Sequence, residues 1–503
     1  MQRYYNLLFL IVVITSSCGD RFLDVTPTDR FTTDTYWKTR EHAEAALNAT
    51  YAALLQTGLY GGNTPVMLET ITPNAYSYSS DYNKIAEGIH DAANASIVNT
   101  TWKSAYTGIG RANNLLAHID AISMDSTLKQ QYKAEAKFLR AVFYFPLWNL
   151  FGGAPLILDP PDFATQSTLP RNDTTALLTQ ILKDLDESLA ALPAAPSGND
   201  KGHATKGAAL AFKAKVLLYA GRYQEAADAA RTVINSKVFS LYPDYRALFY
   251  LENEGNTEVI FDAQFKSPEF THGMDIALDE YNSVAPLPDV INDYYAIDGK
   301  PISMSAKYDA AHPYENRDPR LQQTYTVIGS QYKGAIVKEG QYPRTGYGQK
   351  KYTVYKDNVK PPATIADGQS ELNYIILRYA DVLLMYAEAQ NEATGPDASI
   401  YSALHEIRFR AGMPDISTGL SKELLRTEIR HERRIELAGE GLYYFDIRRW
   451  KTAAALMTTD IYNYKGERLD TRTFNPLRDY LWPVPSIAIQ ENPQLTQNNN
   501  YGK

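Results

Sequence analysis

The chain has 503 residues with 50 Lys+Arg against 58 Asp+Glu, a formal net charge of −8, and is 21% charged and 44% hydrophobic. This balance excludes a disordered chain and leaves ample length for a large core. The acidic balance, without a long Lys/Arg run, excludes the basic face of a nucleic-acid binder, and one cysteine excludes internal disulfides and multi-thiolate metal sites.

At the N-terminus, an apolar run over 7–14 follows Arg3 and precedes Thr15-Ser16-Ser17. It is too short to span a bilayer as a helix but has the form of a secretory signal. Cys18 comes directly after the small residues, so 1–17 reads as a lipoprotein signal peptide and Cys18 as the lipidated new N-terminus. Each buried acyl methylene contributes about 0.8 kcal/mol, so two or three chains anchor a protein stably. The membrane is expected to be reached by this lipid anchor only. The most apolar later stretch, 138–158, is broken by Arg140, Pro146, Asn149, Gly152, Gly153 and Pro155.

Helical spacing of apolar and small residues predicts helices over 39–56, 102–119, 128–150, 174–192 and 205–220, with Asp173 and Thr174 as caps of the fourth. A Gly-, Asn-, Ser-, Pro- and Tyr-rich loop is predicted over 58–99. Residues 208–234 read as helix, turn and helix. Ala214, Gly221, Tyr223, Ala226 and Ala230 fall where a tetratricopeptide repeat has its small packing residues and turn. Similar pairs recur over 374–392 with 399–411, followed by 423–438. Between about 237 and 370 the pattern dissolves into short β-like runs, 257–261 and 334–337, among Gly, Pro and Asn turns. A loop-rich stretch of that length inside an ordered chain is usually functional. The tail, about 480–503, predicts an extended strap with frayed ends. The expected fold is mostly α. Tetratricopeptide-like helical repeats (about 39–236 and 374–450) pack against an irregular loop-rich half with a few short strands, and 18–503 forms one domain.

Catalytic patterns are missing from the sequence. His405-Glu406 and His431-Glu432 both lack the second histidine of a zinc helix, and Gly108-Ile109-Gly110 lacks the third glycine of a dinucleotide loop. Asp184 and Asp186 form a carboxylate pair of the kind used on glycosides, but Lys183 and Glu187 beside them favour a solvated helix face. No enzyme activity, cofactor or metal is expected.

Several motifs carry a resemblance. They are Phe22-Leu23-Asp24-Val25-Thr26-Pro27, Arg140-Ala141-Val142-Phe143-Tyr144-Phe145 with Phe151-Gly152-Gly153-Ala154-Pro155-Leu156, and Leu377-Arg378-Tyr379-Ala380-Asp381 running on to Ala389. Ile407-Arg408-Phe409-Arg410-Ala411-Gly412, Ile429-Arg430-His431-Glu432-Arg433-Arg434-Ile435-Glu436-Leu437, Phe445-Asp446-Ile447-Arg448-Arg449-Trp450 and Leu481-Trp482-Pro483-Val484-Pro485 follow in order. Together they resemble the SusD/RagB family of outer-membrane nutrient-binding lipoproteins of Bacteroidetes, over the whole mature chain. The departures are Leu442-Tyr443-Tyr444, where the family often has an arginine, and Asn498-Asn499-Asn500, where it has Asn-Pro-Gly. The resemblance implies surface exposure at the outer membrane and a SusC-like TonB-dependent transporter as partner. It also implies an oligo- or polysaccharide ligand that is captured and passed on. A helical-repeat adaptor for other proteins, without a sugar site, is the competing reading.

The charges over 428–436, with Asp446, Arg448 and Arg449, read as packed ion pairs, with Glu428 and Glu432 meeting arginines across a helical turn. The five tryptophans read as core. A glycan site needs flat rings for sugar C–H faces and polar groups for hydroxyls. The loop over 73–83 offers Asn74, Tyr76, Tyr78, Asp81, Tyr82 and Asn83, and the irregular half offers Tyr281 and Asn282. One stacked sugar buries roughly 60–80 Å², worth about 1.5–2 kcal/mol, so two or three rings are needed.

Overall fold

The long helices begin where the sequence supplies caps. In the computed structural model, which describes residues 36–195 and 201–502, they are α1 (Arg40–Ala52), α2 (Ser96–His118), α3 (Ser126–Pro146), α4 (Thr174–Ser188), α5 (Lys206–Tyr219), α6 (Tyr223–Ser236), α7 (Tyr379–Thr394), α8 (Ala398–Ala411) and α9 (Lys422–Glu436). Asp125, Asp173, Thr205, Asp397 and Ser421 each accept a backbone N–H of the first turn they precede, which satisfies donors the helix itself cannot. The signal segment 1–17, Cys18 and the 22–27 block lie outside the described residues. Among the described residues no helix is long and apolar enough to cross a membrane.

Consecutive helices pack as neighbours, α2 on α3, α3 on α4, α5 on α6 and α7 on α8, and α6 also packs on α7. Small residues set their spacing. A Cβ on Gly108 of α2 would lie 2.5 Å from ring carbons of Phe143 on α3, so glycine is what lets these two helices meet. Trp37, Trp102 and Trp482 are buried in the main core, and Trp148 and Trp450 pack against it half-buried. The irregular half has a smaller core of its own, Val290, Ile291, Tyr294, Leu321, Tyr325, Val327 and Tyr347, which closes on Ile435 and Ala438 at the end of α9.

The structure departs from the sequence expectations at several places. Residues 374–378 are not helical. They form a strand antiparallel to Val259–Ala263, and this pairing takes up their backbone groups while Ile375, Ile376 and Leu377 are all buried. The 58–99 loop contains a short helix, Ser80–Ala86, held by buried Tyr82, Ile85 and Ala86 at helical spacing. Asp184 does not belong to a solvated face. It is fully buried and accepts from Nε (2.8 Å) and Nη2 (2.7 Å) of Arg140, whereas Asp186 remains exposed beside Lys213. The tail has a short helix, Ser486–Glu491, and its end is tied down. Tyr501 is buried, with its hydroxyl 2.7 Å from His90 Nε2 and donating to Leu481 O.

Most of the charges over 428–436, with Asp446 and Arg449, belong to a buried ion-pair network, but the helix charges find their partners on other elements rather than one turn away. Glu432 binds Arg320 (2.6 Å) and Arg408 (2.8 Å), Arg433 binds Asp381 (2.6 Å) and Asp446 (2.8 Å), and Glu428 has no ion pair among the described residues. Arg378 reaches Glu258 (2.7 Å), Glu436 (2.7 Å) and Glu440 (2.6 Å). Burial alone would raise the Glu436 pKa, yet Arg410, Arg378 and Arg320 hold it far below the ordinary value. Asp318, Arg320 and Glu258 come from the irregular half, so the network fastens that half to α7–α9.

Candidate functional site

Ala75–Tyr76 runs antiparallel to Ala285–Pro286, with Tyr76 opposite Ala285. The chain leaving Tyr76 towards Tyr78 therefore runs beside the chain arriving from Tyr281, and two stretches far apart in sequence become neighbours. One guanidinium staples them from below. Arg434 of α9 donates to Asn74 Oδ1 (2.9 Å), to Asp293 (2.9 Å) and to Asp289. Asn74 in turn donates to Glu69 (2.7 Å), whose carboxyl burial pushes up to about 7 despite bonds from Asn74 and the Gly441 N–H.

The eight expected ligand residues separate by exposure. Tyr78 is 50% and Tyr281 51% exposed, so each presents ring surface to solvent. Tyr76, Asp81 and Asn83 are half-buried, and Asp81 accepts the Ser96 hydroxyl. Asn74, Tyr82 and Asn282 are buried. Both ends of the Asn74 amide are engaged in the staple, and the Tyr82 hydroxyl, bonded to Thr64, is pushed up to about 12 by burial. Asn282 adopts a positive φ of 44° and donates to Tyr347 O at 3.1 Å, while its own carbonyl oxygen has no partner. These three shape the floor, and the two half-exposed tyrosines form its face.

A third segment joins them, which sequence reasoning passed over within the loop-rich stretch. Its composition, Tyr342-Pro343-Arg344-Thr345-Gly346-Tyr347, matches that of the 73–83 loop and is the signal that was available. The turn is pinned by Gly346 N donating to Tyr342 O (2.8 Å) and Tyr464 N donating to Thr345 O (3.1 Å). Gly346, at φ 94°, lies under the Tyr464 ring, where a Cβ would come within 2.4 Å. Arg344 stands at the tip with its guanidinium 3.9 Å from the Tyr78 ring centroid. One face of Tyr78 is thus taken by a cation, and its exposed remainder faces solvent.

Half-exposed rings and a cation on three neighbouring loops suit a hydroxyl-rich ligand with planar apolar patches. Among the described residues, no group of three His, Cys, Asp or Glu side chains is arranged to hold a metal. A separate groove of about 640 Å³, lined by Trp102, Tyr106, Pro155, Phe163 and Ile487, lies on the helical half and includes none of the eight residues.

Two family models match, one described as the SusD family over residues 251–501 and one described as starch-binding associating with outer membrane over residues 21–218. The SusD-like protein P2 of Formosa agariphila is 26% identical over 99% of both chains. A SusD-like carbohydrate binding protein of Bacteroides fragilis, 27% identical, superposes with a TM-score of 0.82 over 92% of this chain and all of that one. A laminarin-binding SusD-like protein, 26% identical, superposes at 0.69 over 92% of this chain and all of its own.

Proposed function

Because the chain belongs to the SusD/RagB family, we propose that it is a lipid-anchored glycan-binding protein of the outer-membrane surface. It captures an oligo- or polysaccharide on the loop-rich half and delivers it to a SusC-like TonB-dependent transporter. The observation that carries this reading is the pairing of 75–76 with 285–286, which sets the half-exposed rings of Tyr78 and Tyr281 on adjacent chains. Carbohydrate-binding and laminarin-binding relatives of the same fold support the ligand class.

The reading is of a binder rather than a hydrolase. The one carboxylate pair nominated for glycoside chemistry has a member locked under Arg140, where it can neither protonate nor attack a substrate. Cys18 acylation supplies the anchor. Metabolic labelling with a radioactive fatty acid that is lost in Cys18→Ala checks it, and equal labelling of both proteins contradicts it. For the site, Tyr78→Ala and Tyr281→Ala should each weaken polysaccharide binding in calorimetry at nearly constant melting temperature. Unchanged affinity in both contradicts the assignment. Co-purification with a co-expressed SusC-like transporter tests the partnership, and its absence contradicts it.

A further inference from the structure

Arg344 differs from the other cations around the site. Lys333 is matched by Asp279 and by Glu280 at 3.5 Å, Arg434 by Asp293 and Asp289, and Lys465 lies 3.9 Å from Glu339. Arg344 makes no hydrogen bond or ion pair with any described residue, and its Nη1 is buried without a partner. Its place is nevertheless fixed, by the pinned 342–347 turn on one side and the Tyr78 ring on the other. Asn282, next to Tyr281, bonds Tyr347 three residues further on, so the turn and the Tyr281 loop are joined.

A second cation acts from beneath. Arg472 is buried and donates to the backbone carbonyls of Thr70, Thr72 and Ala75, the residues leading into Tyr76, with no carboxylate in ion-pair reach. Burial lowers its pKa to about 10, with Asp470 and Asp289 partly opposing the shift, so it is charged at neutral pH. An unmatched guanidinium held 3.9 Å from a ring centroid, with only its Nη1 buried and unpartnered, keeps the Nε–Nη2 edge for a ligand. That edge is the geometry that binds carboxylate or sulfate oxygens in pairs.

We propose that the ligand is an anionic sugar whose charged group, a uronate carboxylate or a sulfate ester, is held by Arg344 while Tyr281 receives a neighbouring ring. This rests on the glycan-binding reading above and names the ligand class of that site. Preorganisation supports the choice, because the side chain needs no further ordering to meet an anion.

The test is affinity electrophoresis followed by calorimetry of the purified protein, Arg344→Gln, Arg344→Lys and Tyr281→Ala. The probes are polygalacturonate, carrageenan and neutral laminarin. Binding to polygalacturonate or carrageenan that exceeds laminarin, weakens with added salt, and falls about ten-fold or more in Arg344→Gln supports the inference. Which of the two binds tells carboxylate from sulfate. Arg344→Lys keeps the charge but loses the paired geometry and should fall between. Binding to laminarin alone, or equal anion affinity in Arg344→Gln, overturns the inference and leaves the glycan site standing. Binding to none of the three overturns it together with the glycan-binding reading for these probes. Tyr281→Ala should weaken every probe that binds.

Discussion

The α7–α9 core and the loop-rich half treat charge in opposite ways. In the core, Arg320, Arg378 and Arg433 are each surrounded by two or three carboxylates and are buried beyond the reach of any ligand. At the 75–76/285–286 pair, Arg344 has no carboxylate, and Tyr78 and Tyr281 keep half their surface in solvent. Shared motifs are therefore the poorer guide to the ligand. They mark where the two halves are fastened together, while binding capacity lies in groups the fold leaves unmatched. Arg434 links the two regimes, since it belongs to the charged helix α9 yet holds both ligand loops through Asn74, Asp289 and Asp293.

The comparison breaks most visibly at Arg378. Arg378→Met leaves Glu258, Glu436 and Glu440 buried around a missing cation and should cost about 3–5 kcal/mol in urea unfolding. A loss below 1 kcal/mol would show that the network is dispensable. Asn74→Ala should act on both regimes at once. It leaves Glu69 and Arg434 short of a partner, costs about 1–3 kcal/mol, and lowers glycan affinity because both loops loosen. Affinity falling without stability would instead make Asn74 a direct ligand.

The two regions also differ in sign with pH. Glu432, Glu436, Asp381 and Glu388 have pKa values lowered by surrounding arginines against the opposing effect of burial. The stability they contribute is present above the ordinary carboxylate range and is lost as pH falls through it. Glu254 and Glu69 are pushed by burial to about 7, and Asp262 and Asp275 to about 6. These four stabilise the fold in their protonated form, and that contribution is lost as pH rises from about 4 towards 7. The melting temperature should therefore peak near pH 4, where the two windows meet, and Glu254→Gln should flatten only the neutral limb. A melting temperature rising steadily to pH 8 would contradict the assignment. The smallest stability effect is expected for Tyr281→Ala, within about 0.5 kcal/mol of the parent protein, because its ring is half in solvent.

Helix periodicity, caps and small-residue spacing made the helical half legible within a few residues, because a 3.6-residue pattern is local. The exceptions are informative. Residues 374–378 carry an apolar run that either a buried strand or a helix start can produce, and only pairing with 259–263 decides. Asp184 looked solvated because Lys183 and Glu187 flank it, but its partner Arg140 is on another helix and local charge patterning cannot show it. At the site, loop composition identified the right segments but not the roles within them. Tyr78 and Tyr82 look alike in sequence, yet one is half exposed and the other packs the 80–86 helix against Thr64. Arg344 was not legible at all, since its importance comes from a contact with Tyr78 across the fold.

The most direct test of the division is amide hydrogen–deuterium exchange with and without a bound polysaccharide. Protection confined to 76–83, 279–286 and 340–347, with the helices unchanged, is the predicted result. Protection centred on the α5–α7 repeat surface or on the 640 Å³ groove beside Trp102, with these three loops unaffected, would contradict the account.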